Sequence, residues 1–345
     1  MKRFGHLFAS VTTFDNFLSA AEKTACGRRQ TPVVARMLFN LESIVFDLQV
    51  RLLDGTYVPK PHSVFWIRDP KPRRICAAQV EDRIVHHAIC HVLEPIFERR
   101  MIFDTYACRK GKGTHAAIRR TQQFAREFPY VMQCDIQKYF DSVNHTILKS
   151  LLRRILKDPQ VVTLLDQIID AVPPEYPSGV GIPIGNLTSQ HFANLYLGEL
   201  DHFVKDQLGI KGYVRYMDDF LIFGNQKTTL FETYLAVRTF LDERLRLELK
   251  VKTAQVFPVT EGIPFLGFRV FPGTVRLHRS GWNRFRHRIA RREAEFTAFA
   301  IDETRLLQSV ASLVGHLRHA NTLRARQHFF SIRQVGNRPK QARTG

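Results

Sequence analysis

The chain has 345 residues, 44% of them hydrophobic and 24% charged; these are globular proportions, and they exclude the disordered and collagen-like classes. Its 51 Lys and Arg against 32 Asp and Glu leave a net charge of +19, so a polyanionic partner is expected, with nucleic acid and an anionic membrane surface both open on charge alone. No apolar run nears the roughly 20 residues of a membrane-spanning helix, and the basic start MKRFGHLFASVTTF is interrupted by His6 and two Thr with no cleavage site after it. The expectation is a soluble, non-secreted, cytoplasmic protein with no membrane partner.

In chain order, Val34, Met37, Leu38, Leu41, Ile44, Val45 and Leu48 trace a single helical stripe closed by the turn pair Asp54-Gly55. Residues 64–67 read as a strand, broken by Asp69-Pro70-Lys71-Pro72, and a helix is expected over about 82–96. His86, His87, Cys90 and His91 share that helix, but no second Cys/His pair lies at finger spacing, so they read as a helical face and not a zinc site. The five scattered cysteines, Cys26, Cys76, Cys90, Cys108 and Cys134, form no disulfide framework. Residues 130–136 read as a buried strand. Asn144 reads as the N-cap of a helix carrying Ile147, Leu148, Leu151, Leu152 and Ile155. A Pro/Gly loop from Pro173 to Pro183 precedes a helix over 189–200, residues 213–223 read as a hairpin centred on Met217-Asp218, and 265–270 reads as one further strand. Strands and helices alternate irregularly, which predicts an α+β fold and not a doubly wound one.

The charge is uneven. From Arg276 onward there are fifteen Arg or Lys and four acids, so eleven of the nineteen excess charges lie in the last fifth of the chain. Val310, Leu313, Val314 and Leu317 keep helical spacing there, and Trp282 and Phe285 interleave with seven arginines between Arg276 and Arg292. The segment reads as a folded basic module that holds a phosphate backbone.

Chemistry is carried by acids. Asp218-Asp219 sits inside an apolar hairpin, and Asp135 ends the other apolar strand. Buried adjacent carboxylates are costly unless a cation compensates them. If the two strands are neighbours, Asp135 and Asp218 converge and can bridge two divalent ions about 3.5–4 Å apart, the clamp of an in-line phosphoryl displacement. Oxygen-only ligands favour Mg²⁺.

On these residues the sequence resembles the reverse transcriptases. Tyr216-Met217-Asp218-Asp219 is similar to their signature box and the run Asp135-Ile136-Gln137-Lys138-Tyr139-Phe140-Asp141 to their first catalytic motif. Gly181-Ile182-Pro183-Ile184-Gly185-Asn186-Leu187-Thr188-Ser189-Gln190 occupies the place of the motif under the nascent base pair. Phe265-Leu266-Gly267-Phe268 resembles the primer-grip strand pair, Lys71-Pro72-Arg73 through Asp82-Arg83-Ile84-Val85 the fingers motif, and Tyr106 to Arg109 with Gly113-Thr114-His115 the motif after it. Six ordered motifs are far more specific than any one of them.

The resemblance implies a right-hand polymerase with fingers over 1–130, a palm of antiparallel sheet plus helices over 131–272 and a basic helical thumb over 273–345. It implies two Mg²⁺ ions on Asp135, Asp218 and Asp219 with the Ile136 carbonyl as a further ligand. Lys71, Arg73 and Arg83 would bind the triphosphate, and Phe140 would be the steric gate that excludes a 2′-hydroxyl. Ile184, Gly185 and Gln190 would touch the templating pair, Lys250 or Lys252 would act as general acid, and Phe265, Leu266 and Gly267 would grip the primer. Asp141 is expected to cap or pair structurally. Template RNA, primer, cDNA strand and deoxynucleotides are the implied partners.

Most lineages carry Gln-Gly and then Ser-Pro where this chain carries Ile184-Gly185 and Ser189-Gln190. That departure resembles the enzymes of diversity-generating retroelements in phages and bacteria, and the compact length, without a maturase or endonuclease extension, and Gly315-His316 agree with it. That family implies copying of a template-repeat RNA with errors opposite adenine (mutagenic retrohoming) and a small basic accessory protein oligomer. The rival readings are an antiphage-defence reverse transcriptase, an RNA-templated RNA polymerase, which Phe140 disfavours, and a non-catalytic RNA-binding scaffold.

Overall fold

Tyr130–Asp135 is apolar except for Gln133 and the terminal Asp135 and so can be buried on both faces, which makes it an inner strand. The computed structural model, which describes residues 3–68, 72–250 and 254–332, places it there. In chain order the strands are β1 (Ser63–Ile67), β2 (Arg73–Ala77), β3 (Tyr130–Asp135), β4 (Tyr213–Tyr216), β5 (Asp219–Gly224), β6 (Gln255–Pro258), β7 (Ile263–Phe265), β8 (Phe268–Val270) and β9 (Val275–Leu277). They form a hairpin β1-β2, an antiparallel sheet in the order β4-β5-β3-β6, and a three-stranded antiparallel sheet β7-β8-β9.

The two faces of the four-stranded sheet follow the period-two alternation of its strands. Met132, Cys134, Phe220 and Ile222 point into the large core shared with the helices Leu187–His202 and Lys227–Leu245. Val131, Val214, Leu221 and Phe223 point the other way, into a second core with the helix Thr114–Glu127 and with Phe265 and Phe268 of the small sheet. A third cluster, Phe285, Ile289, Leu317 and Phe329, joins the helices Arg279–Thr297, Glu303–Leu317 and Leu323–Ser331.

Two sequence expectations are corrected. The stripe from Val34 to Leu48 is not one helix but two, Pro32–Phe39 and Leu41–Leu53. Asn40 departs from helical geometry at φ −105° and ψ 27° while its side-chain amide donates to the Arg36 carbonyl at 3.2 Å, the local competition by which Asn interrupts helices. Residues 265–270 are not one strand but the tip of a hairpin, because Leu266 and Gly267 take φ of 50° and 83° and reverse the chain between Phe265 and Phe268.

Asn144 caps the helix His145–Ile155 as expected, accepting from the Ile147 amide at 3.0 Å. On the helix Val80–Glu98, His86 and Cys90 are buried and His91 Nδ1 lies 2.8 Å from Asn16 Oδ1. The small sheet begun by β7 and β8 is completed by β9, and after Leu277 the regular elements among the described residues are all helices. No helix among the described residues is long and apolar enough to cross a membrane.

Candidate active site

The register of β3 against β5 sets Asp135 opposite Asp219, one at the end of its strand and the other at the start. Because β4 pairs back onto β5 with Tyr216 opposite Asp219, only Met217 and Asp218 make the turn. Met217 takes φ 56°, a left-handed conformation that costs a non-Gly residue on the order of 1–3 kcal/mol unless its surroundings enforce it. All three acids are half-buried.

The crowding is visible in the protonation of Asp218 and Asp219. Burial, then Asp135 and Asp218, push the Asp219 carboxyl up to about 7, against a hydrogen bond from Gln133 and the charge of Lys250. Burial and Asp135 likewise hold Asp218 above the usual carboxylate range, with its own backbone amide, Arg73 and Lys250 working the other way. Carboxylates that resist ionisation next to one another form a site that gains from a cation.

One cation is supplied by the chain. Lys250 Nζ stands 3.0 Å from Asp135 Oδ2, and its backbone amide donates to the Asp135 carbonyl at 2.9 Å. Gln133 reaches from β3 to both Asp219 Oδ1, at 3.4 Å, and the Pro264 carbonyl of β7, at 3.0 Å. As arranged, no group of three or more His, Cys, Asp or Glu side chains among the described residues is gathered tightly enough to cage a metal ion. The donor set, three hard carboxylates of which Asp218 and Asp219 have raised proton affinity, nonetheless fits a divalent cation that would displace Lys250 from Asp135.

Of the other expected residues, some adjoin this sheet and some pack against β2 of the separate hairpin. Phe140 lies on the short helix Tyr139–Ser142 just beyond β3, its ring edge-on to Tyr139 at 5.6 Å, and the Tyr139 hydroxyl donates to the Ala193 carbonyl at 2.6 Å. The Ile136 side chain is buried, and its backbone bridges to Leu249. The Ile184 carbonyl accepts from the Cys76 amide of β2 at 2.9 Å. Gly185 then lies so close to β2 that an added Cβ would stand 2.9 Å from Ile75 Cγ2, at a φ of 126° that few side chains tolerate. Asn186 completes the junction by accepting from the Ala78 amide at 3.0 Å. Gln190 accepts a weak bond from Cys108 Sγ at 3.3 Å. Phe265, Leu266 and Gly267 form the β7-β8 turn, tied to the acids through Gln133.

Others are less direct. Arg73, at the start of β2, is near enough to draw the Asp218 carboxyl down. Arg83 donates instead to the Ala78 carbonyl at 3.1 Å, and burial lowers its proton affinity. Arg74 stacks over the Tyr176 ring at 4.8 Å. Asp141 is exposed on its short helix and makes no ion pair or side-chain hydrogen bond among the described residues, so the expected structural cap is not formed; Lys138 occupies the cap position. Lys71 and Lys252 lie outside the described residues.

Sequence reasoning missed the buried support of the turn. Arg215 on β4 and Asp201 on the helix Leu187–His202 are both 0% exposed and form a two-pronged ion pair, with both contacts at 2.6 Å. Arg215 also donates to the Met217 carbonyl at 3.1 Å. The signals available were a lone Arg in the apolar run before the acids and a lone Gln in the run before Asp135.

An antiparallel hairpin that carries acids at its turn, opposite a third acid on the neighbouring inner strand, defines a class: the template-copying nucleotidyltransferases. Residues 58–270 match the family described as "Reverse transcriptase (RNA-dependent DNA polymerase)". Protein YkfC of Escherichia coli is 27% identical over 287 residues, 71% of this chain and 74% of that protein. The group II intron-encoded protein LtrA of Lactococcus lactis is 28% identical over 160 residues, 44% of this chain and 27% of its own length.

Among solved structures, the apo telomerase of Candida tropicalis aligns with TM-score 0.51 at 12% identity over 84% of this chain and 63% of that one. The telomerase of Candida albicans, in complex with a fragment of telomeric RNA, aligns with TM-score 0.50 at 11% identity over 81% of this chain and 57% of that one. These likenesses show the polymerase fold, a mixture of helices and antiparallel sheets; the chain spans about 60% of the telomerase chains and about a quarter of LtrA. The chain belongs to the reverse transcriptase family, the RNA-dependent DNA polymerases, enzymes that work with divalent metal ions.

Proposed function

We propose that this chain extends a primer on an RNA template, with Asp135, Asp218 and Asp219 as the metal-binding acids and two Mg²⁺ as the ions. The observation that carries the reading is the register that sets Asp135 opposite Asp219 with Asp218 on the adjoining turn. When bound, the ions would activate the primer 3′-hydroxyl and stabilise the leaving pyrophosphate. The chain's own residues position the rest. Arg73 stands where it offsets negative charge near Asp218, a position suited to a triphosphate. Phe140, braced by the anchored Tyr139 ring, presents a rigid wall to the sugar and would select deoxynucleotides. Lys250, already paired with Asp135, is a cation at hand for pyrophosphate. Residues 1–130, 131–272 and 273–345 then act as fingers, palm and thumb, the last holding the duplex through its arginines.

The test is Asp218→Asn in a primer-extension assay on an RNA template with Mg²⁺. A drop of about 10³-fold or more is expected, which is about 4 kcal/mol of lost transition-state stabilisation. A folded variant that extends at the wild-type rate removes the assignment.

The finer reading is an error-prone enzyme of a diversity-generating retroelement, copying a template-repeat RNA with a small basic accessory oligomer. It is supported by Ile184, an aliphatic residue at the loop tied to β2, where Gln in other lineages offers a donor and an acceptor. With contact area alone, a wrong pair loses less relative to the right one. Ile184→Gln should reduce misincorporation opposite template adenine about tenfold, a gap of about 1.4 kcal/mol, when cDNA from both enzymes on one RNA is sequenced. Equal error rates would send the specificity elsewhere.

A further inference from the structure

Arg215 is one of the largest fully buried side chains among the described residues, and all five of its donors are used. Nε and one terminal nitrogen grip the two oxygens of Asp201 at 2.6 Å each. The same terminal nitrogen donates to the Asn194 carbonyl, and the other to Asn194 Oδ1, both at 3.3 Å, and to the Met217 carbonyl at 3.1 Å. Asp201 is saturated in turn, accepting from Thr105 Oγ1 at 2.7 Å and from the Tyr213 hydroxyl at 2.8 Å. A guanidinium is a planar fork that can hold two directions at once, whereas an ammonium is a point charge.

A buried ion pair is weak evidence for stability, because apolar side chains of similar volume often do as well in the same place. This pair does something apolar side chains cannot do: it holds the carbonyl of Met217, the left-handed residue directly before Asp218. The Arg215 backbone is fixed as well, its amide donating to the Asp104 carbonyl and its carbonyl accepting from the Tyr106 amide, both at 3.0 Å. The turn is thereby tied to the helix Leu187–His202 and to the segment 104–106, two parts of the chain that do not otherwise belong to the hairpin.

We propose that Arg215, clamped by Asp201, is a positioning residue that aims the Asp218 carboxylate through the Met217 carbonyl. The proposal rests on the reading of Asp218 as a metal-binding acid. Its role is to keep Asp218 in register with Asp135, and a displacement of about 1 Å at such a site costs about 100-fold in rate.

The experiment compares Arg215→Lys and the double variant Arg215→Leu/Asp201→Leu with wild type in steady-state primer extension, alongside thermal unfolding by circular dichroism. Arg215→Lys keeps a charge for Asp201 but loses the fork. It is expected to lower kcat about 100-fold, to leave KM for primer–template within about twofold, and to raise the Mg²⁺ concentration needed for half-maximal rate. The double variant removes both charges together and should unfold cooperatively with the same loss of kcat. Wild-type kcat and Mg²⁺ dependence in either folded variant overturns the proposal and leaves the pair a purely structural one.

If both variants fail to fold, Thr105→Val decides, since it removes a single donor to Asp201. An approximately threefold or greater drop in kcat at unchanged KM is expected from the loss of one hydrogen bond to the Asp201 carboxylate, and an unchanged kcat overturns the proposal. Asp218→Asn, run in parallel, separates the two levels. An active Asp218→Asn removes the underlying reading, whereas an inactive one beside a wild-type Arg215→Lys removes the positioning role alone.

Discussion

The hairpin that carries the acids and the helices after Leu277 are built on opposite terms. In β5, Phe220, Leu221, Ile222 and Phe223 are all buried, and both faces of the sheet meet a core. In the nineteen-residue helix Arg279–Thr297 only Phe285, Ile289 and Phe296 are buried. That helix is held by a small aromatic cluster, with Phe285 5.3 Å from both Trp282 and Phe329, while the reciprocal bonds of Val275 and Asn321 at 2.8 and 2.9 Å tie β9 to the segment before the helix Leu323–Ser331. The difference shows how one chain separates precision from grip. Placing carboxylates to within an ångström needs strands packed on two sides and a filled set of buried donors. Holding a polyanion needs only cations on a stable surface, and the arginines of that helix remain at the surface to supply them.

The sharpest way to break this comparison is to cut a large side chain from each core. Phe220→Ala should cost about 3–5 kcal/mol and lower the main unfolding transition with loss of all activity. Phe285→Ala should cost a similar amount locally, but loosen the C-terminal helices ahead of the sheet. Hydrogen exchange would then show early opening after residue 278 with β3 and β5 still protected. Simultaneous exchange in both regions would mean that the two cores fold as one unit.

A smaller effect is expected from charge. Arg288, Arg291 and Arg305 line one groove between the helices Arg279–Thr297 and Glu303–Leu317. Changing all three to Gln should reduce the slope of log K against log salt by about 2–3 for duplex binding, at roughly 0.7–0.9 per phosphate contact. kcat at saturating duplex should stay close to wild type. An unchanged slope would place the backbone contacts elsewhere.

The smallest effect falls on the acids themselves. Lys250 competes with any cation for Asp135, and a half-exposed pair of this kind is worth about 0–1 kcal/mol. Lys250→Gln should therefore lower the Mg²⁺ concentration for half-maximal extension by up to about fivefold. If Lys250 is also the general acid, kcat falls in the same titration. A variant with neither change would mean that the pair is incidental to metal binding.

Much of the site could be read from the chain because its signals are local. An apolar run that ends in Asp135 and another that begins at Asp219 announce buried strands with acids at their rims, whatever surrounds them. The cap at Asn144 and the concentration of arginine after Arg276 are likewise properties of short windows. Two local signals were outweighed by others equally local: an apolar stripe hid the break at Asn40, and an apolar run hid the reversal at Leu266-Gly267.

What only the tertiary structure decided is which distant groups meet. Asp135 and Lys250 are 115 residues apart, Gln133 and Pro264 are 131 apart, and Thr105 and Asp201 are 96 apart. No periodicity encodes such pairs, because they are chosen by strand register and by the burial that forces each polar group to find a partner. The residue types that can bind metal and phosphate were therefore determined by the sequence alone. The aim of the Met217 turn, which depends on a guanidinium closing on a carboxylate from another element, was determined only when the cores packed.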